Sequence, residues 1–140
     1  MNQTQPRRIY VDAKIINRDS KDKPKRTFIA HVSDDGKEKN YKEIKEVDAH
    51  ETDAAELYAI HFAIEELKNK PGKFVFLCDH ESVVFILQQD KPNFGNKTRQ
   101  IMKDVWESIH ESSKQFEIEP HSNKADKFLN DVWREIKMKE

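Results

Sequence analysis

Apolar and polar positions follow two different rhythms along this chain. Arg8–Ile16, Thr27–Val32 and, more weakly, Lys39–Val47 are rich in β-branched and aromatic residues and predict three strands. The first join, Asn17–Lys25, is charged, holds Pro24 and has no glycine, while the second turns at Asp34-Asp35-Gly36. Strands joined this closely predict an antiparallel meander. From Thr52 to Lys70 the rhythm shifts to about 100° per residue, so a helix is expected that ends at Pro71-Gly72. Ile60, Ala63, Ile64 and Leu67 share one face of it, and His61, Glu65 and Lys68 lie opposite, toward water.

Lys73–Asp79 is a near-continuous apolar run, the pattern of a strand covered on both faces and reached by a helical crossover. Ser82–Gln89 fits helix or strand by pattern alone, although a helix is needed for the chain to turn back. After a loop at Asp90–Gly95, Asn96–Ser113 sets Ile101, Val105 and Ile109 on one helical face. Phe116–Pro120 alternates as a short strand. Asn123–Lys139 carries an apolar stripe of Ala125, Leu129, Val132 and Ile136, with Trp133 beside it. The order β-β-β-α-β-α-α-β-α predicts an α/β fold: one mixed five-stranded sheet, its first three strands antiparallel and the remainder parallel, flanked by helices. There is no internal repeat.

The 140 residues suit a single domain spanning 1–140, with 1–7 and 138–140 expected to be flexible. Charged and apolar residues each make up 36%, and aromatic residues at 9% supply enough core to exclude general disorder. The single cysteine, Cys78, excludes an internal disulfide and sits in an apolar run, where burial is its default. No apolar run approaches the eighteen or so residues of a membrane span, so a cytoplasmic monomer with no membrane contact is expected. The net charge of −1 conceals an asymmetry: residues 1–30 carry +5 and residues 31–60 carry −5. A basic patch beside an acidic cluster suits a metal-dependent enzyme acting on a polyanion, and equally two solvated hairpin faces.

Four acids are hard to explain one by one. Asp12 interrupts the middle of an apolar strand, and Glu56, four residues before Ile60 and seven before Ala63, falls inside the apolar helix face. Asp79 closes a buried strand, where ligands bind in open α/β sheets. Asp126 lies in the first turn of the last helix. Local alternatives exist: Asp53 as N-cap with Glu56 three residues later reads as a capping box, and Asp79 and Asp126 suit a turn and a helix N-terminus. If the first strand pairs with the strand ending at Asp79, however, the acids gather at one end of the sheet. Clustered carboxylates repel unless cations neutralise them, and hard oxygen donors favour Mg²⁺ or Mn²⁺.

Here the residues match a known pattern. Ile9-Tyr10-Val11-Asp12, Thr52-Asp53-Ala54-Ala55-Glu56-Leu57, Phe76-Leu77-Cys78-Asp79 and Asn123-Lys124-Ala125-Asp126 stand where type 1 ribonuclease H places its Asp, Glu, Asp and Asp. The chain resembles that family across nearly its whole length. The resemblance implies a ribonuclease H-like fold and an endoribonuclease that cleaves the RNA strand of an RNA/DNA hybrid with two Mg²⁺ or Mn²⁺ ions. In that scheme Asp12 bridges both ions, Glu56 and Asp79 complete one shell, and Asp126 completes the other.

Departures from the pattern mark where substrate handling differs. Asp12-Ala13-Lys14 and the charged 17–26 segment replace Asp-Gly-Ser and a glycine-rich hairpin, so Lys14, Arg18, Lys25 and Arg26 are expected to meet nucleic-acid phosphates. Thr52-Asp53 replaces a pair that is often Asn-Asn and contacts nucleic acid, which makes Asp53 a further contact residue. The loop before the last helix is short, leaving His121 as the nearby substitute for the family's mobile catalytic histidine. A basic protrusion is absent, with Lys91, Lys97, Arg99 and Lys103 in its place. The alternative is a non-catalytic nucleic-acid-binding or protein-interaction module on the same fold, although such a module gains nothing from packing four like charges together.

Overall fold

The computed structural model describes residues 5–45, 51–90, 92, 99–111, 115–121 and 125–139. The elements are β1 (Arg7–Ile16), β2 (Arg26–Ser33), β3 (Lys39–Ile44), α1 (Thr52–Leu67), β4 (Phe74–Cys78), α2 (Glu81–Gln88), α3 (Arg99–Glu111), β5 (Phe116–Pro120) and α4 (Ala125–Lys139). The expected continuation of the third strand to Val47, the outer ends of the third helix, the Asn123-Lys124 start of the last, and Lys91 and Lys97 lie outside the described residues.

The five strands form one sheet in the order β3-β2-β1-β4-β5. β1 pairs antiparallel with β2 and β2 with β3, whereas β1–β4 and β4–β5 are parallel. This is the expected mixed sheet, with β1 at its centre. The Asn17–Lys25 join closes without glycine because Asn17 takes the left-handed conformation at φ 62° and donates from Nδ2 to the Pro24 carbonyl at 3.1 Å. Asparagine tolerates that region better than other side chains.

Most of the core lies between the sheet and α1. Nine of the helix's sixteen residues are buried, a wider face than the single stripe expected, because α1 is covered by β1 and β2 on one side and by α3 on another. Phe76 is fully buried with its ring centroid 5.4 Å from that of Phe116, and its truncation to alanine would cost about 3–5 kcal/mol. The helix stops at Leu67, three residues short of Lys70, since a residue preceding proline is driven out of the helical region and Pro71 follows. The ambiguous 82–89 segment is helical: α2 turns Val83, Val84 and Leu87 inward and packs on β5 and α3. α4 covers the opposite face over β1 and β2, its Leu129 buried against Ile16, Phe28 and Ala30. Among the described residues no helix is long and apolar enough to cross a membrane.

Candidate active site

Sheet register places the acids. The β1–β4 ladder runs from Arg7↔Phe74 to Tyr10↔Leu77, and two further steps along both strands bring Asp12 level with Asp79. The β4–β5 ladder ends at Cys78↔Pro120, and the His121 amide donates to the Cys78 carbonyl at 2.9 Å, so His121 lies level with Asp79 on the other side. Asp12 is buried although it is an acid, and so is Glu56, each with only 5% of its surface exposed. Asp79 and Asp126 are exposed at the same end.

Asp12 and Glu56 are hydrogen-bonded to each other through their side chains. Two carboxylates make that contact only when one holds a proton. Burial is the main cause that raises both acids above the usual carboxylate range, and the charges of Asp79 and Asp126 push Asp12 further while Asp79 pushes Glu56. The two buried carboxyls therefore share one proton and titrate as a pair. A backbone hydrogen bond at Ala13 favours the charged Asp12. Asp126, in the first turn of α4, is near enough to act on Asp12 and accepts from Asn130 Nδ2 at 3.4 Å.

Metal-ligating atoms of Glu56, Cys78 and Asp79 all lie within 4.8 Å of one another. Cys78 does not act as a thiolate there: its thiol is pushed up, chiefly by burial and then by Glu56, and it donates to Glu56 Oε2 at 3.5 Å. Asp12, Glu56, Asp79 and Asp126 offer carboxylate oxygens here, the chemistry that suits Mg²⁺ or Mn²⁺.

The capping-box alternative for Glu56 is overturned. The N-cap of α1 is Glu51, with extended backbone and no side-chain cap, and Glu56 points instead to Asp12 and Cys78. Asp53 is not a cap either; its Oδ1 lies 2.5 Å from His80 Nε2, tying the start of α1 to the residue that follows Asp79. That pair joins residues 27 apart and leaves no periodic trace, so nothing in the sequence pattern pointed to it.

The basic residues divide into two sets. Arg18 donates from Nη1 to Thr52 Oγ1 at 3.2 Å and lines a cleft of about 100 Å³ with Ala13, Ile15, Ala55 and Glu56, directly beside the acids. Lys14 is partly exposed on β1 and Lys25 exposed in the turn before β2. Arg26 is differently engaged, since its guanidinium forks onto Glu43 with two 2.9 Å bonds and lies over the rings of Phe28 and Trp133. That engagement ties β2 to β3 and gives Arg26, expected to meet phosphates, a structural partner. His121 is exposed, with its ring edge-on to Tyr10 at 5.8 Å.

No protein-family model matches the chain, and no curated protein matches it. Solved structures do. The chain is similar to LC11-RNase H1, isolated from compost by a metagenomic approach, at 16% identity and a TM-score of 0.66, over 92% of each chain. It is similar to RNase H1 from the halophilic archaeon Halobacterium salinarum NRC-1 at 16% identity and a TM-score of 0.61, over 87% of this chain and 89% of that one. A foamy viral protease-reverse transcriptase in complex with an RNA/DNA hybrid matches 94% of this chain at 15% identity and a TM-score of 0.63. The chain spans only 20% of that viral protein. Identities this low establish the fold, which is ribonuclease H-like.

Proposed function

We propose that the chain is a metal-dependent endoribonuclease that hydrolyses the RNA strand of RNA/DNA hybrids. The observation that carries this reading is the buried Asp12–Glu56 pair with Asp79 and Asp126 beside it. An isolated buried carboxylate costs several kcal/mol or is neutralised, so four converging on one sheet end are a standing liability unless a cation relieves it. Asp12, Glu56, Asp79 and Asp126 would hold two Mg²⁺ or Mn²⁺ ions. Bound there, such ions supply Lewis acidity that activates water for attack on the phosphodiester and stabilises charge on the leaving 3′ oxygen.

The chain's own groups do the rest. Cys78 S–H and the backbone bond at Ala13 hold the two buried carboxylates in place, and a bound cation would take the place of the proton they share. Arg18, anchored on Thr52, and Lys14 bring positive charge beside the acids, where a backbone phosphate has to lie. Asp53, held by His80, offers a carboxylate able to accept from the ribose 2′-hydroxyl, the group that distinguishes RNA from DNA. His121, level with Asp79 and exposed, would carry protons to solvent as the product leaves.

Incubation of the protein with labelled RNA/DNA hybrid, duplex RNA and duplex DNA, each with Mg²⁺ or Mn²⁺, tests the reading. Cleavage confined to the RNA strand of the hybrid is expected. Hybrids left intact with both ions would favour the non-catalytic binding module.

A further inference from the structure

One side of α4 leads away from the acids. Asp126, Asn130, Trp133 and Lys137 are spaced i, i+4, i+7 and i+11, so they line one stripe of the helix that begins at the candidate metal site. Contacts agree with the spacing: Asn130 donates to Asp126, and Lys137 Nζ lies over the Trp133 ring at 5.9 Å. The same ring receives the Arg26 guanidinium at 5.4 Å and is supported by Phe28 at 5.9 Å.

Two rulers place Trp133 similarly far from the acids. Seven helical residues separate it from Asp126, a rise of about 10 Å. Its neighbour Arg26 pairs with Ile16, four residues along β1 from Asp12, or about 13 Å. The stripe therefore runs from the carboxylates to the base of the basic 17–25 turn. Packing explains part of Trp133, which closes the cluster of Ile16, Phe28, Ala30 and Leu129. Packing does not require that its half-buried ring be flanked by cations from two different elements. An aromatic ring held among cations at the rim of an acidic site combines a flat face against which a sugar can pack with phosphate-pairing charge, the two features that hold a duplex by its backbone.

We propose that Asn130, Trp133 and Lys137 form a track for the nucleic-acid strand running out from the catalytic carboxylates. This rests on the nuclease reading above. At 3.4 Å per step the track reaches about three base steps to Trp133 and about five to Lys137. Lys137 pairs with phosphate, Trp133 meets the sugar, and Asn130 bonds to the backbone nearest the acids. Arg26, committed to Glu43, sets the ring rather than gripping the strand.

The test compares Lys137→Glu with Lys139→Glu, two exposed residues of the same helix about 200° apart around its axis. Hybrids carrying one short ribonucleotide segment fix the cleavage position, with flanks of two or ten base pairs. Binding is measured by anisotropy in Ca²⁺ at several salt concentrations, cleavage in Mg²⁺, and thermal melting confirms that both variants are folded. Lys137→Glu is expected to weaken binding of the long hybrid about fivefold and lower its salt slope by about one, with no effect on the short hybrid or on kcat. Lys139→Glu should leave binding within about twofold of wild type. Equal effects of the two variants, or a Lys137→Glu defect that persists on the short hybrid, would overturn the track while leaving the nuclease reading intact. A wild type that neither binds nor cuts any hybrid would overturn both.

Discussion

Asp12 on β1 and Glu56 on α1 are both acids, both buried, and hydrogen-bonded to each other. The bond requires one proton, and burial together with Asp79 raises both groups above their unfolded values. Raised acids bind more protons in the folded chain than in the unfolded one above about pH 4, so their contribution to stability is complete below that pH and is lost as pH rises through the raised values. His31 acts in the opposite sense. It is buried with its pKa lowered chiefly by burial, so its contribution is present above about pH 6.5 and is lost as pH falls. Comparison with Glu56→Gln at each pH cancels His31. The metal-free wild type should lose melting temperature relative to Glu56→Gln between pH 5 and pH 9, measured by circular dichroism in EDTA. Parallel curves would mean that the pair shares no proton.

Asp12→Asn should abolish hybrid cleavage and leave the metal-free melting temperature unchanged or higher. Removing one charge relieves repulsion from Asp79 and Asp126, and an asparagine amide can take over the hydrogen bond to Glu56. A rise of about 1 kcal/mol corresponds to roughly 3–5 °C in a chain of this size. A mutant that unfolds would identify Asp12 as a structural residue.

Acids that break an apolar pattern were legible in the sequence, because a lone charge in a strand or on a helix face has a local cost visible without coordinates. Asp12 and Glu56 stood out for that reason. The mixed character of the sheet was equally readable, since the near-continuous apolar run of β4 requires cover on both faces and a helical crossover. What stayed hidden were pairings between distant residues with no periodicity, such as Asp53 with His80 and Arg26 with Glu43. The Asp53–Glu56 spacing misled because a local motif competes with tertiary contacts, and here the buried contact of Glu56 with Asp12 prevails. Segment 82–89 was ambiguous for a similar reason: the packing of α2 on β5 and α3 decides it, not its own pattern.

The basic residues should separate by experiment into binding and structural sets. Neutralising Arg18, Lys21, Lys23 and Lys25 to glutamine should raise the KM for hybrid and flatten its salt dependence by about 0.9 per lost phosphate contact. Arg26→Ala should instead lower stability by about 2 kcal/mol, because it leaves half-buried Glu43 without its fork and Trp133 with Lys137 alone, and should barely alter the salt slope. A normal melting temperature with a flattened slope in Arg26→Ala would return that residue to the phosphate-binding set.

Metal linkage separates enzyme from binding module. A divalent ion that binds the folded chain alone stabilises it by RT ln(1 + [L]/Kd), about 2.7 kcal/mol at a hundred times Kd. Millimolar Mg²⁺ or Mn²⁺ should therefore raise the wild-type melting temperature by several degrees, most strongly at a pH where the Asp12–Glu56 pair gives up its shared proton easily. The rise should vanish in Asp12→Asn, which lacks the charged carboxylate that both buried neighbours and exposed acids face. Ca²⁺ should also stabilise the wild type yet support little cleavage, since its larger and looser shell positions water and leaving oxygen poorly. Melting indifferent to Mn²⁺, together with intact hybrids, would leave the four acids without a metal and the chain without the proposed chemistry.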